Sequence, residues 1–267
     1  MKIIRFLDGE GETHYGIPQH DNAAQVLSGD IFQKIEPTGL TTKVHRLLAP
    51  VVPSQILCIG LNYKQHAAEV GARIPKAPVL FMKAPTALNH PGAPIQLPRS
   101  LRSDEVDYEC ELAVVIGKRG KNISRADACH YILGYTCAND VSARDWQLRR
   151  SGHQWCRAKS FDTFCPLGPQ IITADELPDP HDLEIRTEVN GELLQQSNTA
   201  DMIFDVPSII EFLSGSTTLT PGTVILTGTP GGVGMGRNPQ RWLRPGDIVS
   251  VTIDQIGTLT SPVTEEK

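Results

Sequence analysis

The sequence predicts an α+β protein that is mainly β, with short helices and a small β-rich module at its N-terminus. Its apolar runs are short and separated by turn residues, in keeping with 23 glycines and 20 prolines among 267 residues. The regular alternation of strand and helix that a parallel α/β sheet requires is missing. Many short strands with few helices therefore favour a mainly β architecture.

Composition and charge exclude several classes of protein. The formal net charge is −5 and the basic residues are scattered, so nothing predicts binding to nucleic acid or to a membrane surface. No apolar run approaches the ~20 residues that a spanning helix needs, and Met1–Arg5 does not begin a signal peptide. The six cysteines form no Cys-x-x-Cys pair, which argues against a zinc ribbon. We therefore expect a cytoplasmic protein.

The predicted elements follow in order along the chain. Residues 1–50 form the N-terminal module, and a proline-containing boundary at 49–54 separates it from a catalytic domain of residues 51–267. A buried strand is predicted at 55–60. Capping and stop residues predict helices over 124–134 and 205–215. Asn190-Gly191 between two strand-like runs predicts a hairpin with a type I′ turn.

An acidic pair stands in the strand-like run 106–116. Glu109 and Glu111 are two residues apart, so a strand places them on the same face. Asp140 lies where the next strand-like run ends. Three carboxylates suit Mg²⁺ or Mn²⁺ better than zinc. The alternative is a solvated strand face with Asp140 capping a helix, and spacing alone favours that alternative.

A second group lies in a short predicted helix between Asn62, as cap, and Gly71. His66 and Glu69 share one face of this helix, and a carboxylate beside an imidazole favours a general base acting on water. A helix so short is marginally stable alone and would serve as a lid that orders when substrate binds. The alternative is an exposed pair that contributes little stability.

Two further segments contain candidate ligand-binding groups. Lys159 precedes an aromatic segment rich in proline and glycine that we expect to be buried, so the lysine needs an anionic partner. A substrate anion, Asp162 or a metal-site carboxylate would serve. The glycine-rich segment 227–236 would present the Thr229 hydroxyl and backbone amides to a carboxylate, or be a tight turn without a ligand.

Together, four segments resemble the fumarylacetoacetate hydrolase (FAH) family over residues 53–260. They read D-Y-E-x-E-L-A-V-V-I-G, N-D-V-S-A-R-D-W-Q, K-S-F-D-T-F-C-P-L-G-P and L-T-G-T-P-x-G-V-G. Each motif is modest, but their combination in this order is highly specific. The chain is most similar to the branch of short FAH-domain-containing proteins.

The resemblance implies a mixed β-sandwich roll, a homodimer and one Mg²⁺ or Mn²⁺ ion per subunit. It implies that the metal ligands are Glu109, Glu111 and Asp140. It implies a water-activating pair, His66 and Glu69, and a lysine beside the metal, Lys159. It also assigns three residues to the substrate pocket, namely Arg144, Gln147 and Thr229.

The implied substrate is a 2-oxo acid that reacts through a metal-bound enolate. The leading expectation is hydrolytic carbon–carbon cleavage of an acylpyruvate, with His66 and Glu69 activating water. The same site would serve an oxaloacetate keto–enol tautomerase, an oxaloacetate decarboxylase or a 2-hydroxymuconate-type isomerase. A non-catalytic binder of small molecules is a further alternative, because a fold alone does not establish a function.

Overall fold

A computed structural model describes all residues from 1 to 267, and it confirms the α+β, mainly β class. The strands in chain order are β1 (Lys2–Leu7), β2 (Thr13–Pro18), β3 (Ala23–Gly29), β4 (Ile35–Lys43), β5 (Arg46–Leu48), β6 (Gln55–Gly60), β7 (Val79–Lys83), β8 (Leu88–Asn89), β9 (Ile95–Leu97), β10 (Val106–Asp107), β11 (Cys110–Ile116), β12 (Gly120–Lys121), β13 (Ile132–Asn139), β14 (Ser142–Ala143), β15 (Cys165–Thr173), β16 (Glu184–Val189), β17 (Glu192–Asn198), β18 (Thr218–Leu219), β19 (Thr223–Leu226), β20 (Ile248–Ile253) and β21 (Gly257–Glu265). The α-helices are α1 (Lys64–Glu69), α2 (Trp155–Lys159) and α3 (Val206–Ser214).

Most strands belong to one large mixed sheet. Its main order is β4-β3-β2-β1-β15-β13-β11-β19-β6-β7, with β5 paired to β1 and β8 paired to β15. Neighbours are antiparallel except for the β19–β6 and β15–β8 pairs. A second sheet has the order β17-β16-β20-β21-β9, and two small ribbons pair β10 with β14 and β12 with β18. The site described below lies at one end of the large sheet.

The central strand β11 is buried on both faces, as its uninterrupted apolar sequence from Leu112 to Ile116 requires. Leu112 and Val114 point into a core shared with the second sheet, where Ile185 and Val251 meet them. Ala113 and Val115 point into a second core on the opposite face. Glu109 and Glu111 continue the row of Ala113 and Val115 beyond the end of that second core.

The predicted local structures are confirmed in part. The strand at 55–60, the helix capped by Asp205 and the Asn190-Gly191 hairpin are present, and both turn residues have the positive φ of a type I′ turn. The helix predicted over 124–134 is wrong. Only a short 3₁₀ turn forms there, because the chain enters β13 at Ile132 and its apolar residues fill the sheet.

The N-terminal strands are not separated from the rest of the molecule. Lys2 and Ile3 of β1 pair with Ile172 and Ile171 of β15, so the first fifty residues extend the large sheet. The domain division at residue 50 stays a prediction. No helix in the structure has the length and apolar character needed to cross a bilayer.

Candidate active site

The three carboxylates singled out in the sequence meet at one end of the large sheet. Strand pairing explains why: Cys110 of β11 lies opposite Asn139 of β13, so the residues just beyond them, Glu109 and Asp140, are also neighbours. The Asp140 amide donates to the Glu109 carbonyl at 2.9 Å. Oxygens of Glu109, Glu111 and Asp140 lie within 4.8 Å of one another. We call these three side chains the carboxylate cluster.

The carboxylate cluster is buried, which excludes the solvated strand face. The exposed fractions are 5% for Glu109, 1% for Glu111 and 0% for Asp140. Like charges at this distance and depth are costly unless cations compensate them.

Two buried lysines meet the cluster. Lys159, at the end of α2, donates to Glu109 Oε2 at 2.9 Å and to Asp140 Oδ2 at 2.7 Å. Its partners are therefore cluster carboxylates and not Asp162. Lys83, at the end of β7, donates to Asp140 Oδ1 at 2.6 Å and to the Val141 carbonyl at 3.1 Å. Both oxygens of Asp140 are thus held by ammonium groups.

Arg144 supplies the third cation. Its Nη2 lies 2.6 Å from Glu109 Oε1 as an ion pair, although the N–H directions do not align for a hydrogen bond. Its Nε donates to Asp107 at 2.9 Å, and its Nη1 donates to Gln147 Oε1 at 2.8 Å. Asp107 also accepts from the amides of Gly234 and Met235. Arg144 is therefore fixed from three sides.

These contacts give Glu109 and Glu111 opposite shifts in pKa. Burial disfavours the charged form of Glu109, but Lys159 and Arg144 outweigh it and lower its pKa to about 2. Burial, with Asp140 and Glu109 nearby, raises the pKa of Glu111 well above its usual value. Glu111 makes no ion pair, and its only hydrogen-bond donor is the Gly228 amide, 2.6 Å from Oε2. Glu111 is therefore the cluster carboxylate that lacks a cationic partner, and its charged form is disfavoured until a cation is near.

This donor set suits a hard divalent cation. It offers three carboxylates, one of them lacking a cationic partner, and no nitrogen or sulfur ligand among the grouped residues. Carboxylate oxygens have more than one lone pair, so an oxygen that accepts one hydrogen bond can still ligate a cation. A cation beside Glu111 would favour its charged form, which burial and the neighbouring carboxylates disfavour.

The short helix predicted between Asn62 and Gly71 is present as α1 (Lys64–Glu69), and its role as a lid stays a prediction. His66 Nδ1 lies 3.0 Å from Glu69 Oε2, and Glu69 Oε1 accepts from the Gly232 amide at 2.8 Å. His66 is 7% exposed and 20% of the Glu69 side chain is exposed, so His66 is buried while Glu69 reaches solvent. The predicted cap is wrong: Asn62 uses its side chain to bind residues 204 and 227, which ties β6 to the glycine-rich segment.

The glycine-rich segment follows β19 and forms a wall of the site. Gly228 has a φ of +103°, and a Cβ there would lie 2.7 Å from the Cβ of Asn62. Glycine is therefore required for the Gly228 amide to reach Glu111. The next residue, Thr229, has a largely buried side chain at the cavity wall, and its role in binding a ligand stays a prediction.

A cavity of about 360 Å³ opens over the carboxylate cluster. Two of the predicted site residues, Glu69 and Asp140, do not line it. Its polar lining consists of His66, Glu109, Glu111, Arg144, Gln147, Lys159 and Thr229. Its apolar lining includes Phe81, Leu148, Trp155 and Met235. A polar floor under an apolar upper wall suits a small anionic molecule with one end at the cluster.

Three buried polar residues near the site were missed in the sequence. Lys83 ends an ordinary strand, Asp107 stands two residues before Glu109, and Gln195 lies in a hairpin strand remote in sequence. Lys83 and Gln195 become recognisable only when the fold brings them to the cluster. Asp107 carried a signal, because a third acid in an apolar run is itself unusual.

Comparison with known proteins identifies the family. Residues 55–264 match the family described as fumarylacetoacetate (FAA) hydrolase C-terminal, and residues 1–50 match one described as Rv2993c-like, N-terminal. The chain therefore belongs to the fumarylacetoacetate hydrolase family, as the four motifs predicted. It is an enzyme of that family.

Two curated relatives narrow the branch. The chain is 48% identical over 262 residues to human mitochondrial oxaloacetate tautomerase FAHD2A, which covers 98% of this chain and 79% of that protein. It is 50% identical over 218 residues to the mitochondrial oxaloacetate tautomerase fahd2 of Xenopus laevis, covering 81% and 68% respectively. The cytoplasmic location expected from the sequence is not confirmed, since both relatives are named as mitochondrial.

Solved structures agree on the fold. A 5-carboxymethyl-2-hydroxymuconate delta-isomerase from Mycobacterium smegmatis is 42% identical, with a TM-score of 0.86 and complete coverage of both chains. A fumarylacetoacetate hydrolase from Exiguobacterium antarcticum is 35% identical, with a TM-score of 0.88 and complete coverage of both chains. Similar folds and sequences thus occur in proteins named as isomerases and as hydrolases.

Proposed function

We propose that this protein is a divalent-metal-dependent enzyme that interconverts the enol and keto forms of oxaloacetate. The observation that carries the proposal is the buried carboxylate cluster at the floor of a cavity that also presents Lys159 and Arg144. The oxaloacetate tautomerase names of the relatives favour this reaction over hydrolysis, which was the leading expectation from the sequence.

The ion would be Mg²⁺ or Mn²⁺, held by the three cluster carboxylates. When bound, it would polarise the 2-oxo group of the substrate as a Lewis acid. The remaining steps depend on groups of the chain itself.

Lys159 and Arg144 place two positive charges beside the floor of the cavity. As oxaloacetate loses a proton from carbon 3 to water, negative charge develops on its 2-oxo oxygen, which then takes a proton from water to give the enol. Nearby cations stabilise the developing charge without having to reorganise. Burial would lower the pKa of Lys159, but Asp140 and Glu109 outweigh burial and raise it. Lys159 therefore stays protonated and supplies charge, not basicity.

Neutral donors on the wall would orient the substrate. Arg144 holds Gln147 Oε1, which leaves the Gln147 amide nitrogen to donate into the cavity. Thr229 offers a hydroxyl from the glycine-rich segment. These two donors would bind substrate carboxylate oxygens and so hold the enol and the keto form in the same place.

Hydrolytic cleavage of an acylpyruvate is the second candidate, and the His66–Glu69 pair favours it. His66 lines the cavity and is oriented by a carboxylate, which suits removal of a proton from water. Keto–enol exchange breaks no carbon–carbon bond and needs no activated water. The two reactions therefore make different demands on His66.

A substrate panel tests the proposal. Purified protein with Mg²⁺ or Mn²⁺ is mixed with oxaloacetate, acylpyruvates and fumarylpyruvate, and enol decay, CO₂ release and hydrolysis are followed separately. Metal ion without protein is the control, since free ions act on oxaloacetate. We expect enol decay to be accelerated most, with little CO₂ release. If acylpyruvates are hydrolysed rapidly and enol decay is not accelerated, the protein is a hydrolase and the tautomerase proposal is wrong.

Two expectations about the assembly are proposals as well. We propose a homodimer, which light scattering on the purified protein would test. We also propose that the partners are small 2-oxo acids rather than nucleic acids, in keeping with the size of the cavity and the net charge of −5.

A further inference from the structure

Gln195 connects the carboxylate cluster to the glycine-rich segment. It comes from β17 of the second sheet and its side chain is fully buried. Its Oε1 accepts from the Cys110 amide at 3.0 Å and from the Thr187 hydroxyl at 2.8 Å. Its Nε2 donates to Thr229 Oγ1 at 2.8 Å and to the Pro230 carbonyl at 3.0 Å. All four hydrogen-bonding positions of the amide are thus used.

The orientation of this amide is unambiguous. The Cys110 backbone N–H can only donate, so the Gln195 atom facing it must be the oxygen. The nitrogen therefore faces Thr229 and the Pro230 carbonyl, and the carbonyl can only accept, which fixes the nitrogen a second time.

This orientation determines what Thr229 offers. The Thr229 oxygen accepts a hydrogen from Gln195, so its own hydrogen points elsewhere. The Thr229 hydroxyl donates to no oxygen or nitrogen of the protein, and its side chain lines the cavity. The nearby Cys110 thiol is the other group within reach, but sulfur is a weak acceptor. The hydroxyl hydrogen is therefore available to a cavity ligand.

We propose that Gln195 is a positioning residue that fixes the Thr229 hydroxyl as a hydrogen-bond donor into the cavity, where it receives a carboxylate oxygen of the substrate. This inference rests on the proposed function for the identity of the ligand. Without Gln195 the hydroxyl would rotate freely and would offer lone pairs as often as a hydrogen. Gln195 would not touch the substrate, so it would affect binding only through Thr229.

A double-mutant cycle with oxalate as the probe tests the proposal. Oxalate presents a second carboxylate where a 2-oxo acid has its 2-oxo group, and it does not react, so its affinity is independent of turnover. Its Kd is measured by calorimetry at saturating Mn²⁺ for the wild type, Thr229→Val, Gln195→Met and the double variant. The Mn²⁺ Kd of each variant is measured as well, because Gln195 also holds the Cys110 amide between two cluster residues.

Thr229→Val should weaken oxalate binding about tenfold or more, as expected for a hydrogen bond to a charged group. Gln195→Met should cause a loss of at least about threefold in the wild-type background and almost none in the Thr229→Val background, because coupled residues are non-additive. Equal losses in both backgrounds, or no loss from Gln195→Met, would overturn the proposal. A wild type that does not bind oxalate would overturn it too.

Two variants complete the design. Thr187→Val is the control. It removes a hydrogen bond to the Gln195 oxygen, on the side of the amide away from Thr229. The oxalate Kd of this variant should therefore stay within about twofold of the wild-type value. If Gln195→Met does not fold, Gln195→Glu takes its place in the cycle. The Glu side chain keeps the oxygen that accepts hydrogen bonds and lacks the amide nitrogen that donates them. Its added charge is present in both backgrounds, so its effect cancels when the two are compared. If oxalate binds as expected but oxaloacetate is not tautomerised, the proposed function fails and this inference stands.

Discussion

Lys83 and Asp140 are 57 residues apart in sequence, yet their side chains form an ion pair of 2.6 Å with no solvent exposure on either side. Asp140 is held on its other oxygen by Lys159, so its carboxylate cannot turn away from the cluster. The pair therefore fixes the direction in which Asp140 presents its oxygens, and it brings the end of β7 into the site.

Lys83→Met should destabilise the protein by about 3–5 kcal/mol, the usual cost of removing one partner of a buried ion pair. The free energy of unfolding in urea measures this for the metal-free protein. Lys34→Met is the matched control, since Lys34 pairs with Glu36 at the surface and such pairs contribute little. Equal stability of Lys83→Met and the wild type would contradict the pairing.

Glu111→Gln should weaken Mn²⁺ binding by at least about 100-fold, because changes outside the ligand shell alone typically cost 10–100-fold. The same substitution should not destabilise the metal-free protein, because burial and the neighbouring carboxylates already disfavour the charged form of Glu111. Calorimetric titration with Mn²⁺ and urea unfolding report the two effects. Glu188→Gln is the control, because Glu188 forms a half-exposed ion pair with Arg186. It should change neither the Mn²⁺ affinity nor the stability. Unchanged Mn²⁺ affinity in Glu111→Gln would rule out Glu111 as a ligand.

His66→Ala should slow acylpyruvate hydrolysis by about 100-fold or more, the usual contribution of a general base. Enol–keto exchange of oxaloacetate should fall far less, because charge stabilisation at the cluster remains and water can supply a proton. Parallel assays of the two reactions on one preparation give the ratio. Similar losses in both would show that His66 serves tautomerisation as well.

Asp247 should contribute a pH-dependent part of the stability. Burial opposes its ionisation, but the Arg241 side chain, the Arg244 amide and the Asn190 amide outweigh burial and lower its pKa below 3.8. The stabilisation is present above the unfolded value of 3.8 and is lost as the pH falls through the lower folded value. The unfolding free energy of the wild type minus that of Asp247→Asn should therefore shrink on acidification. A constant difference would contradict this account.

The sequence predicted those parts of the site that local patterns determine. Glu109 and Glu111 are two residues apart, which places them on one face of a strand. His66 and Glu69 are three residues apart, which places them side by side on a helix. Spacing did not reveal whether these groups were buried, because burial depends on what the rest of the chain packs over them. The family motifs resolved that question where periodicity could not.

Contacts between distant segments were beyond the reach of local patterns. Gln195 and Lys83 are polar residues in ordinary strands, and only the arrangement of the sheets brings them to the site. The helix predicted over 124–134 failed for a related reason, since pairing of β13 with β11 outweighed a good cap and stop signal. Tertiary context determined both outcomes.

The central claim is that the carboxylate cluster is the reaction centre. The most direct test compares the wild type with the Glu109→Ala, Glu111→Ala double variant. The rate of decay of the oxaloacetate enol is measured for each in the presence of Mn²⁺. The account predicts that the wild type accelerates the decay above the rate with Mn²⁺ alone, and that the double variant does not. Circular dichroism confirms that both proteins are folded. Undiminished acceleration by the double variant would show that the carboxylate cluster is not the reaction centre.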